Sequence, residues 1–420
     1  MLNIKIQPRK LFGTVQAISS KSDAHRLIIA AALADKATQI NLNCISNDIE
    51  AAISCISALG GKAERNEQGY LITPISCQKT KKPSLNFGES GTIARFLVPV
   101  TSALFDESEF SGSGRLPERP FSPLFEAMRR NGCQFSSENL PVTQKGRLNS
   151  GVFELDGNIS SQFISGLLIA LPLLEGDSEI KLRTKLESSG YVDMTIDTLS
   201  KFGVEIEKKD NSYYIKDGQK YRSPSQITVE GDWSNSAFWL AAGAGSIGIT
   251  VTGLNFDSLQ GDKQIETLIA RFGANVIRSE NSLKVSKRDL HGIEIDASEI
   301  PDLVPILAVL GAVSEGETRI KNAARLRHKE SDRLMTTTKM LTALGADIAM
   351  LEDGLLIKGK PKLQGGIVDS FNDHRIAMAT AVAAQFCNNE VTIIDAGAVN
   401  KTYPKFFDDY KILGGKADVV

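Results

Sequence analysis

Hydrophobic and polar positions along this chain follow one pattern that is written six times. Each unit has a short polar cluster, an apolar helix, and a second helix that ends in a hydrophobic-Gly turn leading into a strand. The clusters lie near Lys21, Gly91, Ser161, Asp232, Asp302 and Asp373, and the closing glycines are Gly60, Gly132, Gly203, Gly273, Gly345 and Gly414. The period of about 70 residues is long for a solenoid but suits a βαβ-type unit with a hairpin. The pattern therefore predicts an α/β fold.

The apolar helix of each unit is the feature that bears on function. Runs such as Leu27–Leu33 and Phe238–Ala242 are apolar on nearly all sides, as is typical of buried helices. Only the polar N-terminus of each helix is then expected to meet water. An N-terminus offers N–H groups and the positive end of the helix dipole, which favour an anion. Six such helix starts indicate a substrate with several negative groups.

The rest of each unit predicts a strand between the two helices and a hairpin after the second. In the first unit we expect a strand at Thr38–Leu42 and a helix that Asp48 caps and that runs through Leu59. Gly60 and Gly61 are expected to form its left-handed end. The predicted hairpins pair Lys62–Glu64 with Gly69–Ile72, Val204–Ile206 with Tyr213–Ile215, and Asp347–Ala349 with Leu355–Ile357.

The two ends of the chain are expected to complete each other. The sixth unit stops at Lys416–Val420, before its second hairpin strand, while Leu2–Ile6 alternates like a strand ahead of the first cluster. Pairing these segments removes an exposed strand edge. We therefore predict two three-repeat domains, residues 19–230 and residues 1–18 with 231–420. The chain would cross twice between them, with a cleft between the domains.

Length and charge bound the possible functions. The chain has 420 residues, enough for two or three domains, and 42% of them are hydrophobic. Its 48 basic and 50 acidic residues leave a net charge of −2, so no basic footprint favours nucleic acid or an anionic membrane as a partner. Any cationic site must therefore be local.

Cysteine usage and the start of the chain indicate a compartment. Five cysteines are scattered, odd in number and without CxxC spacing, which argues for reduced thiols and against a zinc site. They are Cys44, Cys55, Cys77, Cys133 and Cys387. The segment Met1–Ile6 lacks the basic flank and apolar run of a secretory signal, and no later stretch reaches membrane-spanning length without polar residues. These features predict a soluble cytoplasmic protein.

The first cluster combines two cations and a hydroxyl at a helix start. Lys21, Ser22 and Arg26 can share one helix face, which would make a phosphate or carboxylate site. A capped surface helix explains the same residues. In the second cluster, Gly91 would let a ligand approach the backbone while Thr92 caps the helix, and a plain Gly-rich turn is equally compatible.

The third cluster, Ser160–Gln162, offers two hydroxyls and an amide, with Ser188 in the next turn region, and helix capping explains these residues about as well. Asp302 places a carboxylate at the start of the fifth apolar helix. It is either an N-cap or a general base for a substrate hydroxyl, and its position alone favours neither. Arg119 adds a guanidinium suited to carboxylates or phosphates.

Three later polar runs complete the pattern. They are His328–Arg333, Asn372–Arg375 and Lys401–Pro404. A surface salt-bridge run explains any one of them, but not why polar clusters recur at the same place in successive units. The chain shows no Walker loop and no dinucleotide GxGxxG.

Taken together, these segments resemble the EPSP synthase (3-phosphoshikimate 1-carboxyvinyltransferase) family, and the resemblance spans Lys21 to Lys401. It is carried by Ser20–Ser22 with Arg26, Gly91–Thr92 with Arg95, Arg119–Pro120, Ser160–Gln162, Pro301–Asp302, Lys329–Arg333, Asp373–Arg375 and Lys401–Thr402. The resemblance implies a two-domain inverse α/β barrel. Each domain would have three βαβαββ repeat units around buried helices, with the active site in the interdomain cleft.

The same resemblance implies a reaction and a set of site residues. The enolpyruvyl group of phosphoenolpyruvate would pass to the 5-hydroxyl of shikimate 3-phosphate, with release of phosphate and with no metal or other cofactor. Shikimate 3-phosphate would be held by Lys21, Ser22, Arg26, Ser160, Ser161, Gln162, Ser188, Asp302 and Lys329. Phosphoenolpyruvate would be held by Lys21, Gly91, Arg119, Gln162, Arg333, Arg375 and Lys401. Asp302 resembles the base, while Glu330 and Lys21 are candidates for the proton donor. A monomer is expected.

Two other functions are compatible with such repeats. The sister enolpyruvyl transferase that acts on UDP-N-acetylglucosamine usually carries a reactive cysteine five residues before its Arg-Pro, where this chain has Gly114 ahead of Arg119–Pro120. An RNA-end-binding protein of similar repeats would be expected to have a basic surface and salt-dependent binding, which the net charge of −2 disfavours.

Overall fold

The computed structural model describes residues 2–76 and 82–420, so Cys77 lies outside the described residues. Its helices are α1 (Lys21–Leu33), α2 (Asn47–Ala58), α3 (Gly91–Leu104), α4 (Ser122–Arg129), α5 (Ser161–Ala170), α6 (Ser189–Lys201), α7 (Trp233–Gly243), α8 (Ile265–Arg271), α9 (Val304–Ala312), α10 (Arg333–Ala343), α11 (His374–Ala383) and α12 (Phe406–Ile412). Short 3-10 helices span Leu116–Glu118, Leu171–Leu173, Gly261–Gln264, Pro301–Leu303, Ala324–His328, Ala384–Phe386 and Ala396–Lys401.

The strands of the first half are β1 (Ile4–Gln7), β2 (Gly13–Gln16), β3 (Thr38–Asn41), β4 (Lys62–Asn66), β5 (Gly69–Thr73), β6 (Ser84–Asn86), β7 (Glu107–Ser111), β8 (Gln134–Phe135), β9 (Val142–Lys145), β10 (Val152–Leu155), β11 (Ser178–Leu182) and β12 (Glu207–Lys209). Those of the second half are β13 (Ser212–Ile215), β14 (Gln226–Thr228), β15 (Ile249–Thr252), β16 (Asn275–Ser279), β17 (Ser282–Ser286), β18 (Glu294–Asp296), β19 (Glu317–Lys321), β20 (Asp347–Leu351), β21 (Gly354–Lys358), β22 (Gly366–Asp369), β23 (Val391–Ile394) and β24 (Lys416–Val419).

Residue contacts divide the chain into two compact units. The central unit is Lys21–Val229. The terminal unit contains both chain ends and comprises Met1–Ser20 and Glu230–Val420. Each unit takes three of the six sequence repeats.

The central unit has three four-stranded sheets, in the strand orders β14-β3-β5-β4, β6-β7-β9-β8 and β10-β11-β13-β12. In each sheet the first two strands are parallel and the other neighbours are antiparallel. Each sheet therefore combines one crossover connection with one hairpin, as the repeat pattern predicts.

The terminal unit repeats this arrangement in the sheets β22-β23-β1-β24, β2-β15-β17-β16 and β18-β19-β21-β20. Strand β1 lies between β23 and β24, and Ile4 is opposite Val419 while Ile6 is opposite Ala417. The predicted pairing of the two chain ends is confirmed. It protects the edge of β23, because β1 occupies the place that a second hairpin strand takes in the other sheets.

One helix of each repeat is buried along its length, and the six are α1, α3, α5, α7, α9 and α11. All nine residues of α9 are buried, as are all eleven of α7. A helix that is apolar on every side cannot face water, so its polar start is the end through which it reaches the surface. The side chains of Lys21 and Asp302, at two of these starts, are 15% and 20% exposed.

Three predictions for the second helices and their hairpins were wrong. Ser46, not Asp48, is the N-cap residue of α2, and Asp48 lies within the first turn. At the end of that helix only Gly60 is left-handed, with φ +92, whereas the amide of Gly61 donates back to the carbonyl of Ile56. A left-handed glycine followed by an amide that donates back to the helix is a common way for a helix to end.

The third correction concerns the second predicted hairpin. Its first strand is β12, three residues later than the predicted Val204–Ile206. The amide of Val204 donates to the carbonyl of Leu199 and its side chain is fully buried, so Val204 belongs to the closing turn of α6. The strand can begin only after that turn is complete.

Candidate active site

The start of α1 carries the first predicted cation of the central unit. Lys21 is the first residue of the helix, and its Nζ donates to Oδ2 of Asp48 at 2.9 Å. The two side chains are only 15% and 12% exposed, so this ion pair is better shielded from solvent than a surface pair. Lys21 is therefore held in place by a carboxylate from the start of α2.

His25 fixes the backbone beneath this ion pair. Its Nε2 lies 3.3 Å from the carbonyl oxygen of Asp48, and because a carbonyl only accepts, Nε2 carries the proton. The ring is fully buried, and burial together with the charge of Lys21 holds the pKa of His25 well below its usual value. A neutral His25 thus ties the first turn of α2 to α1.

Arg26 joins α1 to α6. Its Nε donates to Oγ1 of Thr195 at 2.8 Å, its Nη1 to the carbonyl of Ser22 at 2.6 Å and its Nη2 to the carbonyl of Tyr191 at 2.8 Å. The residue is 2% exposed, and burial lowers the pKa of Arg26 to about 10. These bonds use three of its five N–H groups, so this predicted ligand residue also has a structural role.

Gln162 links the starts of α5 and α3. Its Nε2 donates to Oγ1 of Thr92 at 2.8 Å, and its Oε1 accepts from Nη1 of Arg95 at 2.7 Å. Ser160 is the N-cap of α5, and its hydroxyl accepts from the amide of Gln162. The predicted cap at Thr92 is wrong, because Ser90 holds that position and the Thr92 hydroxyl bonds Gln162 instead. The side-chain amide of Gln162 is thereby fixed in one orientation.

The guanidinium of Arg119 lies against the backbone of Gly91, the first residue of α3. A Cβ placed on Gly91 would be 2.7 Å from Cζ and 2.9 Å from Nη2 of Arg119. Real Cβ atoms essentially never approach another heavy atom this closely, so any side chain at position 91 would move the guanidinium. Arg119 is 6% exposed. Its position therefore depends on the glycine.

Two serines complete the central set. Ser188 precedes α6 in a left-handed conformation, with φ +54, and is 3% exposed. Non-glycine residues adopt this conformation rarely, and at functional sites more often than elsewhere. Ser161, the first residue of α5, is 7% exposed. All predicted residues of the central unit thus lie at helix starts or beside them.

In the terminal unit one arginine gathers three carboxylates. Arg333 begins α10 and its side chain is 1% exposed. Its Nη1 donates to Oδ1 of Asp302 at 2.6 Å, its Nη2 to Oε2 of Glu330 at 2.5 Å and its Nε to Oδ2 of Asp373 at 2.8 Å. These three anions hold the pKa of Arg333 above its usual value despite its burial. The predicted base and a predicted proton donor are therefore fixed by the same guanidinium.

Asp302 is surrounded by cations. Its Oδ2 accepts from Nη2 of Arg375 at 3.2 Å, and Nζ of Lys329 lies 3.7 Å from Oδ1. Burial alone would raise the pKa of Asp302, but the charges of Arg375, Lys329 and Arg333 outweigh it and hold the pKa well below its usual value. Asp302 lies within the 3-10 helix Pro301–Leu303 and is the N-cap of neither helix there. The N-cap alternative is therefore wrong.

Lys329 is a cation of this group whose pKa is lowered by its surroundings. Burial and the neighbouring Arg333 and Arg325 lower the pKa of Lys329 to about 8, although Asp302 opposes the shift. Lys401 ends the 3-10 helix Ala396–Lys401, and its Nζ donates to the carbonyl of Asn372 at 2.5 Å. Asp373, the next residue, is the N-cap of α11. Lys401 is thus anchored beside the helix that carries Arg375.

Asp48, Asp262 and Asp373 contact or influence the predicted site residues, and sequence reasoning gave none of them a role in the site. Asp262 is 1% exposed, and burial and the charge of Asp302 raise the pKa of Asp262 to about 6, with Arg375 opposing. A signal for these residues existed in the repeat. In three units a polar residue lies close to the start of the second helix at a similar spacing from the first cluster, and these residues are Asp48, Ser188 and Asp262.

Among the described residues, no three or more His, Cys, Asp or Glu side chains are grouped so as to hold a metal ion. No helix within residues 2–76 and 82–420 is both long and apolar enough to cross a membrane.

Fold and site together are those of an α/β repeat protein in which arginines and lysines gather at the starts of buried helices. The family model for EPSP synthase (3-phosphoshikimate 1-carboxyvinyltransferase) matches residues 6–410. The chain therefore belongs to the EPSP synthase family.

Individual relatives agree with this family. A protein of Clostridium novyi named 3-phosphoshikimate 1-carboxyvinyltransferase is 44% identical over 429 residues, covering 100% of this chain and 99% of the relative. A protein of Clostridium acetobutylicum with the same name is 47% identical over 419 residues, covering 98% of this chain and 97% of the relative.

Solved structures carry the same fold. The EPSP synthase of Acinetobacter baumannii superposes with a TM-score of 0.82 at 26% identity, covering 100% of both chains. The enolpyruvyl transferase NikO of Streptomyces tendae gives a TM-score of 0.81 at 19% identity, covering 100% of this chain and 98% of that one, and this likeness concerns the fold alone. The predicted fold class, a two-domain inverse α/β fold, is confirmed.

Proposed function

We propose that this protein transfers the enolpyruvyl group of phosphoenolpyruvate to the 5-hydroxyl of shikimate 3-phosphate. The products are 5-enolpyruvylshikimate 3-phosphate and phosphate, a step of aromatic amino acid biosynthesis. The observation that carries the proposal is the mostly buried group of Asp302, Lys329, Arg333 and Arg375. It combines a base with several cations, which is what the reaction of a hydroxyl with an anionic acceptor needs.

The reaction is an addition followed by an elimination. Asp302 takes the proton of the hydroxyl, and the electron pair of that O–H bond forms the new C–O bond to C2 of phosphoenolpyruvate. The electron pair of the C2–C3 double bond takes a proton at C3, for which Glu330 and Lys21 are the candidate donors. Loss of phosphate from C2 and of a proton from C3 restores the double bond. Cations that are already in place stabilise the charges without rearranging, which is the main source of such catalysis.

The remaining predicted residues hold the substrates. In the central unit, Ser22, Arg26, Ser160, Ser161, Gln162 and Ser188 bind shikimate 3-phosphate, and Lys21, Gly91, Arg119 and Gln162 bind phosphoenolpyruvate. Arg333, Arg375 and Lys401 of the terminal unit also bind phosphoenolpyruvate, and Lys329 binds shikimate 3-phosphate. Lys21, Gly91, Ser161 and Arg375 lie at the starts of the buried helices α1, α3, α5 and α11. These positions support the assignment, because backbone N–H groups and the helix dipole add to the side-chain charges.

The sister reaction with UDP-N-acetylglucosamine lacks its usual thiol here. Gly114 is left-handed, with φ +58, and stands where that family usually has its cysteine. Cys133 is buried, and burial raises the pKa of its thiol to about 12, so a reactive thiolate is not formed at neutral pH.

Phosphate release is the measurement that tests the proposal. We expect the protein to release phosphate from phosphoenolpyruvate with shikimate 3-phosphate and not with UDP-N-acetylglucosamine. Release only with the nucleotide sugar would assign the sister reaction. If a protein that is shown to be folded by its unfolding curve released no phosphate with either substrate, the proposal would be contradicted. The RNA-binding alternative would then be tested by a filter-binding assay at low salt.

Gly91→Ala is expected to weaken the binding of phosphoenolpyruvate selectively. The added methyl group would displace the guanidinium of Arg119, and a misplaced charged hydrogen bond costs about 1.5–3 kcal/mol, or about 10–100-fold in KM. The KM for shikimate 3-phosphate should change less than about threefold. Steady-state kinetics with each substrate varied in turn measures both values.

Gly397→Ala is the matched control for this variant, since a Cβ there would meet only Leu2, at 3.7 Å. Equal increases in both KM values for Gly91→Ala, or no increase, would contradict the role assigned to Arg119.

We also infer that the protein acts as a monomer in the cytoplasm. The buried thiols of Cys44, Cys55, Cys133 and Cys387 support a reducing compartment. Sedimentation at several protein concentrations measures the state of association, and a mass that rises with concentration would contradict it.

A further inference from the structure

Both oxygens of Asp302 are engaged by cations in this structure. Oδ1 accepts from Arg333 at 2.6 Å and lies 3.7 Å from Nζ of Lys329, while Oδ2 accepts from Arg375 at 3.2 Å. A carboxylate in this position binds a proton weakly, since protonation would break charged hydrogen bonds on both oxygens. A general base works best when its pKa is near the working pH. As it is held here, Asp302 is therefore a poor base.

The cations that hold Asp302 differ in how easily they can exchange it for another anion. Arg333 is a proposed ligand of phosphoenolpyruvate, but it is 1% exposed and also binds Glu330 and Asp373, so its place in the network is fixed. Arg375 binds Asp302 by a longer bond, at 3.2 Å, and comes from the start of a different helix, α11. Under the proposed function, Arg375 is also a ligand of phosphoenolpyruvate. The carboxylate of that substrate and Asp302 then compete for the same guanidinium.

We propose that phosphoenolpyruvate activates the base of its own reaction: its carboxylate replaces Asp302 on Arg375, and Oδ2 of Asp302 then becomes able to take the proton of the substrate hydroxyl. The inference rests on the proposed function and adds an order of events to it. Asp302 remains held by Arg333 through Oδ1, so its position is kept while Oδ2 is released. The exchange forms and breaks no covalent bond, and Arg375 keeps a carboxylate partner because one carboxylate replaces another.

The charged groups around Asp302 come from several elements of the terminal unit. Lys329, Glu330 and Arg333 face it from the segment before α10 and from its first residue, Arg375 faces it from α11, and Asp262 faces it from the 3-10 helix Gly261–Gln264. Exchange at Arg375 weakens the influence of one cation and brings in one anion. Both changes make Asp302 bind a proton more tightly. Asp262 shares Arg375 and should respond in the same sense.

The experiment follows the titration of Asp302 directly. The full-length protein is labelled with ¹³C at the aspartate carboxyl carbons, and the Asp302 signal is identified by its absence in Asp302→Asn. We expect its titration midpoint to rise by at least about one pH unit when phosphoenolpyruvate is added alone, a tenfold tighter hold on the proton. Inorganic phosphate, which has no carboxylate, should produce a smaller shift.

Two variants sharpen the result. Arg375→Met removes the contested partner, so the midpoint of Asp302 should already be raised without substrate, and phosphoenolpyruvate should then change it little. Arg375→Lys keeps the charge and should restore part of the response. If Arg375 were not the exchanged partner, Arg375→Met would still raise the midpoint because a cation is lost, but phosphoenolpyruvate would then shift the midpoint of the variant as much as that of the natural protein.

The outcomes separate this inference from the proposed function. If other carboxyl signals show that phosphoenolpyruvate binds while the Asp302 midpoint stays unchanged, the inference is overturned and the proposed function stands. An equal shift with inorganic phosphate would also overturn it, because the carboxylate would then not be the exchanging group. If phosphoenolpyruvate does not bind and no phosphate is released with shikimate 3-phosphate, both proposals fail.

Discussion

Asp302→Asn is expected to lower kcat for phosphate release by about 10²–10⁴-fold, the usual contribution of a general base. Asparagine has the same shape and can still accept from Arg333, but it cannot take a proton. The same variant should bind phosphoenolpyruvate about tenfold more tightly, because the substrate no longer displaces a carboxylate from Arg375. Single-turnover kinetics measures the first effect, and calorimetric titration with phosphoenolpyruvate measures the second.

A lower kcat together with a higher affinity for phosphoenolpyruvate is the outcome expected if Asp302 is the base and also competes with phosphoenolpyruvate for Arg375. Asp296→Asn is the matched control, since Asp296 is an exposed aspartate of β18 in the same unit, and it should change neither quantity by more than about twofold. If Asp302→Asn kept most of its activity, Asp302 would not be the base. If the variant lost both activity and affinity for phosphoenolpyruvate, Asp302 would be a ligand of phosphoenolpyruvate and not its competitor for Arg375.

The repeated architecture could be predicted from the sequence because each of its signals is local. Apolar runs such as Leu27–Leu33 and the closing glycines mark helix bodies and helix ends, and six copies reinforce each other. The pairing of β1 with β24 also followed, because the sixth unit is one strand short. The strand expected at Val204–Ile206 was wrong. The alternating hydrophobic positions there belong to the closing turn of α6, in which the side chain of Val204 is buried.

Pairing between site residues could not be predicted in the same way. A helix start shows which residue types are present, but not that Lys21 faces Asp48, or that Arg333 binds three carboxylates at once. These contacts join residues from different elements, whose distances in sequence carry no information about their distances in space. The family resemblance supplied roles for the ligands of the substrates. It supplied none for Asp48 or Asp262, which act on other side chains.

Arg333→Met is expected to lower the free energy of unfolding of the terminal unit by about 3–5 kcal/mol at pH 7, the usual result of removing one partner of a buried ion pair. Methionine fills much the same length without charge. Asp373, which is fully buried, and the mostly buried Asp302 and Glu330 would then lose their shared cation. Chemical denaturation followed by tryptophan fluorescence measures the effect, because both tryptophans, Trp233 and Trp239, lie in α7 of this unit.

The pH dependence of this loss distinguishes charge from packing. In the natural protein the pKa values of Asp302 and Asp373 are lowered on folding, so their contribution to stability is present above the unfolded pKa and is lost only as pH falls through the folded values. Without Arg333 burial dominates, and the pKa of Asp373 is expected to rise instead. The difference in unfolding free energy between the two proteins should therefore shrink between pH 7 and pH 5, where the carboxylates of the variant take up protons.

Two further variants serve as controls for the expected loss of stability in Arg333→Met. Arg319→Met removes an exposed arginine of β19 in the same unit and should change the unfolding free energy by less than about 0.5 kcal/mol. Arg333→Lys keeps a charge but cannot reach three carboxylates with fixed geometry, so its loss should lie between those of the other two variants. A loss for Arg333→Met that is the same at both pH values would mean that the methionine packs badly, and that the three carboxylates do not depend on the arginine for their charge.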